Sequence, residues 1–202
     1  MGERQHYQVN EIFDSIQGEG RLAGTPSTFI RLQGCLVGCE WCDTRYTWLK
    51  GGTRMTVDSI FNQVHLYHVV VTGGEPTLYD LDSLFRTLRW WDHSIQLETS
   101  GQQDLKGNLK PDWLTISPKH RLGYKVPTRL AQLANEFKFV VDANLSLRVL
   151  EAFSVSFPHV PIVLMPEGTP PKEEWIRLTL EWLHTHPHWY YSDRLQYRLG
   201  VR

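Results

Sequence analysis

The feature that most constrains the fold is the alternation of short β-branched runs with helical patterns along most of the 202-residue chain. This alternation is typical of βα units on a parallel sheet. The predicted strands are Tyr7–Ser15, Ser27–Leu32, His68–Thr72, Ile95–Thr99, Leu114–Ser117, Phe137–Val141 and Pro161–Met165, and the predicted helices lie near 56–66, 79–89, 127–135, 145–153 and 171–186. With about six parallel strands, the pattern predicts an α/β fold, either a partial barrel or an open doubly wound sheet.

Polar and glycine-rich motifs follow the ends of four of these strands. They are Thr72–Pro76, Glu98–Gly101, Ser117–Lys119 and Met165–Gly168. Ligands of parallel sheets bind where the strands end and the loops begin. We therefore expect one binding site at this edge of the sheet.

Composition limits the class of protein. The formal net charge of −1 gives no general attraction to nucleic acid or to a membrane surface. The N-terminus has no apolar segment of a signal peptide, and no apolar run reaches the roughly 20 residues that span a bilayer. An odd number of cysteines without an export signal favours the reducing cytoplasm. We expect a single domain over 1–202, with an N-terminal extension over 1–26.

All three cysteines of the chain, Cys35, Cys39 and Cys42, lie in one glycine-containing loop over 34–44. Thiolates select zinc, cuprous copper or iron–sulfur clusters. Three thiolates without a fourth cysteine favour a four-iron cluster that leaves one iron open. The alternative is a structural zinc site that His65 or His68 completes, although such sites usually have paired C-x2-C halves.

The C-x3-C-x2-C spacing resembles the cluster motif of radical S-adenosylmethionine enzymes, and Thr72–Pro76 is similar to their GGEP loop. The resemblance implies a [4Fe-4S] cluster on Cys35, Cys39 and Cys42, with S-adenosylmethionine chelating the open iron. It also implies a 5′-deoxyadenosyl radical that abstracts hydrogen from the substrate. The cofactors would then perform the radical chemistry, and the protein would bind them and shield them from solvent.

Within that superfamily the chain resembles the 7-carboxy-7-deazaguanine synthases over most of its length. The resemblance rests on Glu11–Gly20, on Gly24, Pro26, Phe29 and Arg31, on the C-D-T at 42–44 and on the S-P-K at 117–119. It implies a partial (βα)6 TIM-like barrel with a modified core. It implies a lyase that converts 6-carboxy-5,6,7,8-tetrahydropterin to 7-carboxy-7-deazaguanine plus ammonia in queuosine and 7-deazapurine biosynthesis.

The resemblance also implies site residues. Substrate would contact Ile16, Gln17, Gly18, Glu19, Arg31 and Thr72, and Mg²⁺ would bind Thr44. S-adenosylmethionine would contact Trp41, Asp43, Gly73, Gly74, Glu75, Glu98, Ser117, Pro118, Lys119, Met165, Pro166 and Glu167. The residue types suit these roles, because a guanidinium fork matches a carboxylate and a glutamate accepts hydrogen bonds from a pterin's N–H groups.

Other readings stay open from the sequence. A glycyl-radical activating enzyme shares the cysteine loop, and a zinc- or cluster-stabilised binding module would not be an enzyme at all. The resemblance further implies a flavodoxin- or ferredoxin-type electron donor, a homodimer and no direct contact with nucleic acid. The chain departs from the family's pattern in two places. Residues 101–112 have no helical pattern, and Gln196 stands where family members often carry a histidine in a short C-terminal strand.

Overall fold

The computed structural model describes residues 5–201. Its strands are β1 (His6–Ile16), β2 (Pro26–Leu32), β3 (Thr53–Thr56), β4 (His68–Gly73), β5 (Ser94–Thr99), β6 (Trp113–Ile116), β7 (Glu136–Val141), β8 (Ile162–Pro166) and β9 (Tyr190–Tyr191). Its α-helices are α1 (Val57–Phe61), α2 (Asp82–Trp90), α3 (Thr128–Ala131), α4 (Leu147–Ser156), α5 (Glu173–Thr185) and α6 (Leu195–Leu199). Short 3-10 helices span Arg45–Thr47, Pro76–Leu78 and His120–Leu122.

The strands form one nine-stranded sheet in the order β3-β1-β2-β4-β5-β6-β7-β8-β9. Every pairing from β2 to β9 is parallel. Only β1 runs antiparallel, against β2 on one side and β3 on the other. Because β3 and β9 are its edges, the described sheet does not close. This mixed α/β architecture confirms the predicted partial TIM-like barrel.

The two faces of the parallel strands differ in chemistry. One face carries apolar side chains such as Ile95, Leu97, Phe137 and Phe139, which pack with the helices in the hydrophobic core. Because successive side chains of a strand point to opposite faces, the intervening positions face the other way. Many of those positions are polar and linked across the strands: His68 Nε2 lies 3.0 Å from Gln96 Oε1, Gln96 Nε2 lies 3.3 Å from Thr115 Oγ1, and Thr115 Oγ1 donates to Glu136 Oε1 at 2.8 Å. The parallel sheet therefore has an apolar helix-covered face and a polar inner face.

Most predicted elements are present. Each predicted strand has its counterpart, and each predicted helix is found, although α1 and α3 are much shorter than their helical patterns. The expected absence of a helix over 101–112 agrees with the irregular chain between β5 and β6. The stretch Leu195–Leu199 is a helix, α6, rather than the short strand of the resemblance. Among residues 5–201, no helix is long and apolar enough to cross a membrane.

Candidate active site at the ends of the parallel strands

A cavity of about 230 Å³ opens over the carboxyl ends of β2, β4, β5, β6 and β7. It brings together most of the residues predicted from the sequence. Its lining includes Ile16, Gln17, Gly18, Glu19, Arg31, Cys35, Cys39, Trp41, Cys42, Asp43, Thr44, Thr72, Gly73, Gly74, Glu98, Ser117 and Lys119. Segments that are far apart in sequence thus form one polar pocket.

The cysteine loop begins directly after β2 and is held by main-chain hydrogen bonds. Gly34 N donates to Thr47 O at 2.7 Å, and Cys35 N donates to the carbonyl of Trp48 at 3.4 Å. The indole Nε1 of Trp48 lies 3.3 Å from Cys42 Sγ, where it donates a hydrogen bond to sulfur. All three cysteines are free thiols of intermediate exposure, and all three line the cavity. This donor set fits the predicted cluster.

Burial raises the pKa of Cys35 and of Cys39 above the ordinary thiol value. Free thiols at these positions therefore stay protonated at neutral pH. A metal centre would reverse this, because coordination deprotonates a thiol outright.

The loop after β4 packs its backbone directly against the cysteine loop. Gly73 has φ +148°, and a Cβ there would collide with the backbone of Leu32; a Cβ on Gly74 would collide with the carbonyl oxygen of Gly34. A hydrogen bond joins the two loops, since Glu75 N donates to Gly34 O at 2.7 Å. Glycine is required at both positions because only a residue without a side chain permits this approach.

The side chain of Glu75 holds this loop in place through buried hydrogen bonds. Its side chain is fully buried and does not line the cavity. One carboxylate oxygen accepts hydrogen bonds from Thr77 N at 3.1 Å, Thr77 Oγ1 at 2.8 Å and Thr99 Oγ1 at 2.6 Å. The other oxygen accepts from Ser100 N at 2.9 Å and from the Ser100 hydroxyl. The carboxylate thus ties the end of β4 to the end of β5.

The two histidines considered as a fourth zinc ligand are engaged elsewhere. His65 Nδ1 lies 2.8 Å from Asp14 Oδ2. His68 begins β4, where its ring nitrogens contact Ser94 and Gln96. Because the cysteine loop lies at the opposite end of β4, neither histidine is placed to complete a metal site with the cysteines.

Lys138 on β7 forms ion pairs with two acidic side chains of the pocket. Its Nζ donates to Glu19 Oε2 at 2.9 Å and to Glu98 Oε2 at 2.8 Å, and only about 6% of its side chain is exposed. Gln17 Nε2 donates to Glu98 Oε1 at 3.2 Å. Arg194 Nε adds a longer ion pair to Glu19 Oε1 at 3.7 Å.

The surroundings of Glu19 and Glu98 shift the pKa values of these two carboxyl groups in opposite directions. Burial alone would raise the pKa of Glu19, but Lys138 and Arg194 outweigh burial and hold it at about 2. Burial raises the pKa of Glu98, with the charge of Glu19 adding to it, in spite of the opposing effect of Lys138. Burial would lower the pKa of Lys138, but the two carboxylates raise it above its usual value.

Arg31 reaches the other side of the pocket from β2. Its Nε donates to Glu11 Oε1 at 2.7 Å, and its Cζ lies 5.8 Å from the ring centroid of Phe13. The ring of Phe13 in turn stacks on that of Phe29, with centroids 5.1 Å apart. An oriented guanidinium beside two aromatic rings suits a planar ligand that carries a carboxylate.

A third set of contacts joins the cysteine loop to the ends of β6 and β7. Lys119 Nζ donates to Ser117 Oγ at 2.6 Å and lies 4.7 Å from the ring centroid of Trp41. Trp41 Nε1 donates to Asp142 Oδ2 at 2.9 Å. Ser117 and Lys119 line the cavity, and their contact with S-adenosylmethionine stays a prediction.

The C-terminal helix covers part of the opening. Leu195 N donates to Gly18 O at 2.9 Å, and Gln196 Nε2 donates to Glu19 Oε1 at 3.3 Å. Tyr197 OH donates to Asp43 Oδ2 at 3.3 Å. Gln196 lines the cavity, and within residues 5–201 its buried Oε1 has no hydrogen-bond partner.

Some sequence predictions fall outside the lining, and some lining residues were not predicted. Glu75, Pro118, Met165, Pro166 and Glu167 do not line the cavity, and their contact with S-adenosylmethionine stays a prediction. The lining residues without a predicted role are Phe13, Phe29, Val37, Trp48, Val70, Thr99, Ser100, Lys138 and Gln196. A signal existed for Lys138, since Glu136 and Lys138 alternate with phenylalanines in a strand that is otherwise apolar.

The chain is similar to known proteins along almost its whole length. A 7-carboxy-7-deazaguanine synthase from Synechocystis sp. is 39% identical over 203 residues, which cover 97% of this chain and 94% of that protein. One from Escherichia coli K12 is 34% identical over 202 residues, with 87% and 90% covered. The crystal structure of QueE from Escherichia coli superposes with a TM-score of 0.77 at 32% identity and covers 94% of each chain. No family model matches the chain.

Proposed function

The chain belongs to the family of 7-carboxy-7-deazaguanine synthases, and from that premise we propose that it is a radical S-adenosylmethionine lyase. Its substrate is 6-carboxy-5,6,7,8-tetrahydropterin, and its products are 7-carboxy-7-deazaguanine and ammonia. The reaction contributes to queuosine and 7-deazapurine biosynthesis.

One observation carries this proposal. The three cysteines, the loop after β4, and the 16–19 segment with Arg31 all line a single cavity. A cluster-binding loop beside a polar pocket with a fixed guanidinium is the arrangement that radical chemistry on a small carboxylated heterocycle requires.

Cys35, Cys39 and Cys42 would hold a [4Fe-4S] cluster, and S-adenosylmethionine would occupy the adjoining part of the pocket. When bound, these groups would supply the radical chemistry that removes hydrogen from the substrate. The chain's own contribution near the cysteines is positional. The backbone of Gly73 and Gly74 lies against the loop, where it would meet the methionyl group, and Glu98, Ser117 and Lys119 line the adjoining wall.

The substrate would lie between Arg31 and Glu19. Arg31 Nε donates its hydrogen bond to Glu11. Arg31 would therefore bind the substrate carboxylate through its terminal guanidinium nitrogens. Glu19 would accept hydrogen bonds from the amino and ring N–H groups of the pterin, since the low pKa of Glu19 keeps it ionised. Phe13 and Phe29 would pack against the ring system.

We also propose Mg²⁺ at Thr44, which lines the cavity and whose hydroxyl lies 3.5 Å from Cys42 Sγ. Magnesium keeps most of its waters and takes few protein ligands, so one hydroxyl and the substrate carboxylate would suffice. In Thr44→Ser the Mg²⁺ dependence of turnover should persist, and in Thr44→Val it should disappear. An unchanged dependence in Thr44→Val would reject this site.

The decisive experiment is an anaerobic assay of reconstituted protein with the pterin, S-adenosylmethionine, Mg²⁺ and a reductant. We expect deazaguanine and ammonia in equal amounts. Cysteine-to-alanine variants at 35, 39 and 42 should lose both cluster and product. Intact S-adenosylmethionine cleavage without a deazaguanine would reject the substrate, and stoichiometric zinc in colourless protein would favour a binding module instead.

The remaining partners are part of the same proposal. A reduced flavodoxin- or ferredoxin-type protein would supply the electron, in the cytoplasm. A homodimer is proposed from the family resemblance, and the exposed Trp90 and Trp91 are the kind of side chains that concentrate at such interfaces. Sedimentation equilibrium of the wild type and of Trp90→Ala tests this, and a monomer at all concentrations would reject it.

A further inference from the structure

We propose that Lys138 is a positioning residue for both halves of the pocket: it is the shared counter-ion that keeps Glu19 and Glu98 ionised together. Both carboxylates then remain hydrogen-bond acceptors at neutral pH, one toward the pterin and one toward S-adenosylmethionine. This inference rests on the proposed function for the identity of the two ligands.

The geometry places one cation between two carboxylates. Lys138 Nζ lies 2.9 Å from Glu19 Oε2 and 2.8 Å from Glu98 Oε2. Between 14% and 17% of each glutamate side chain is exposed. The ammonium is therefore largely withdrawn from solvent and contacts both acidic groups directly.

Two carboxylates that share a buried site cannot both stay charged without a cation, because each raises the pKa of the other. The other charged groups near Lys138 do not replace it. Arg194 reaches only Glu19, at 3.7 Å, while Glu136, on the same strand, adds negative charge that raises the pKa of Glu98. The charge of Lys119 also acts on Glu19 and Glu98, but its ammonium forms no ion pair with either of them and donates its hydrogen bond to Ser117 at the end of β6.

The second oxygen of each glutamate is also fixed by the protein. Glu98 Oε1 accepts from Gln96 Nε2 at 2.8 Å and from Gln17 Nε2 at 3.2 Å. Glu19 Oε1 accepts from Gln196 Nε2 at 3.3 Å. Amides orient the carboxylates, and among residues 5–201 Lys138 is the cation that forms an ion pair with both of them. Its role toward the ligands is therefore indirect, through the ionisation of Glu19 and Glu98.

Three variants separate the charge of Lys138 from its packing. Lys138→Arg keeps the charge, Lys138→Gln keeps a hydrogen-bond donor without charge, and Lys138→Met keeps only the approximate shape. The measurements are the Kd of the pterin by calorimetry on cluster-reconstituted, S-adenosylmethionine-loaded protein without reductant, and the KM and kcat of the reduced enzyme. Both are followed from about pH 6 to about pH 9, a range that brackets carboxyl pKa values raised by burial.

We expect the wild type and Lys138→Arg to share one pH dependence of Kd. In Lys138→Gln and Lys138→Met, Kd and KM should fall by up to about tenfold per pH unit as the pH rises, because a carboxyl group must first lose its proton. Weaker binding in Lys138→Gln with the same pH dependence as the wild type would overturn the proposal, since packing alone would explain it.

A second measurement does not require ligand. The pKa of Glu19 is about 2 in the folded protein against 4.5 ordinarily. The stability that ionised Glu19 contributes is therefore full above the ordinary value and is lost as the pH falls toward 2. Urea unfolding of the cluster-free wild type and of Glu19→Gln should thus differ by an amount that shrinks across this window.

In the Lys138→Arg background the same shrinkage should occur over the same window. A difference between wild type and Glu19→Gln that does not change with pH would overturn the inference. If the wild type binds no pterin while the unfolding difference shrinks as expected in the wild type and in Lys138→Arg but is diminished at all pH values in Lys138→Met, the proposed substrate is wrong and the role of Lys138 stands; an undiminished difference in Lys138→Met would assign the effect to Arg194 and overturn the inference.

Discussion

Replacing Glu75 tests whether this glutamate is a structural tie between two strand ends. Its carboxylate accepts hydrogen bonds from two backbone N–H groups, Thr77 N and Ser100 N, and from the hydroxyls of Thr77, Thr99 and Ser100. In Glu75→Ala the hydroxyls can rotate to other acceptors, but the two buried N–H groups cannot. Each unsatisfied donor costs about 1–3 kcal/mol.

With the cavity left by the side chain, we expect Glu75→Ala to lower the free energy of unfolding by about 3–5 kcal/mol. In a chain of this size each kcal/mol shifts Tm by about 2–4 °C, so Tm should fall by about 6–20 °C. Glu75→Gln retains one acceptor oxygen and should lose about half as much in free energy. Circular dichroism of the cluster-free protein during heating measures the shift.

Glu173→Ala is the matched control. Glu173 is 86% exposed and pairs with Arg177 one helical turn away, so its loss should cost less than about 1 kcal/mol. If Glu75→Ala is as mild as this control, the buried hydrogen bonds do not hold the loop and the reasoning fails. Iron content after reconstitution should fall with stability, because Glu75 N binds the cysteine loop.

Three further substitutions probe the walls of the pocket. In Gly18→Ala the added Cβ would collide with the Gln196 carboxamide, so KM for the pterin should rise while the melting temperature falls by only a few degrees; an unchanged KM would show that Gln196 does not shape the site. Gln33→Ala removes two hydrogen bonds from the Gln33 amide to main-chain carbonyls after the cysteine loop, and iron loss under chelator should accelerate, whereas an unchanged rate would contradict that role. Arg31→Lys keeps a charge beside Glu11 but not the fork, so KM should rise about tenfold with little change in kcat; a lower kcat with an unchanged KM would place Arg31 outside ground-state binding.

The sequence predicts the fold well because strand-forming runs and helical patterns alternate with clear punctuation. It also predicts that the polar motifs meet, since the carboxyl ends of parallel strands lie at one edge. Helix lengths are less predictable. The pattern near 56–66 continues past Phe61, but the chain leaves the helix to reach β4, and tertiary packing rather than propensity sets that end.

The site is predicted less completely because several roles depend on contacts across the sheet. Lys138 lies between two glutamates from distant segments, and no local pattern pairs them. Glu75 has a structural role that the sequence does not show. Its motif predicts a ligand contact, whereas its side chain is consumed by buried hydrogen bonds. That the motif's backbone touches S-adenosylmethionine remains a prediction.

The contact between the 16–19 turn and α6 has a consequence for synthesis of the protein. Gln196 meets Glu19 across 177 positions of sequence, so a growing chain on the ribosome cannot complete this wall until the last described helix has emerged. Contacts between such distant residues form late, after most of the chain has been ordered. A cluster that assembled on the cysteines during translation would therefore meet an open groove, which narrows only once α6 has folded against the 16–19 turn.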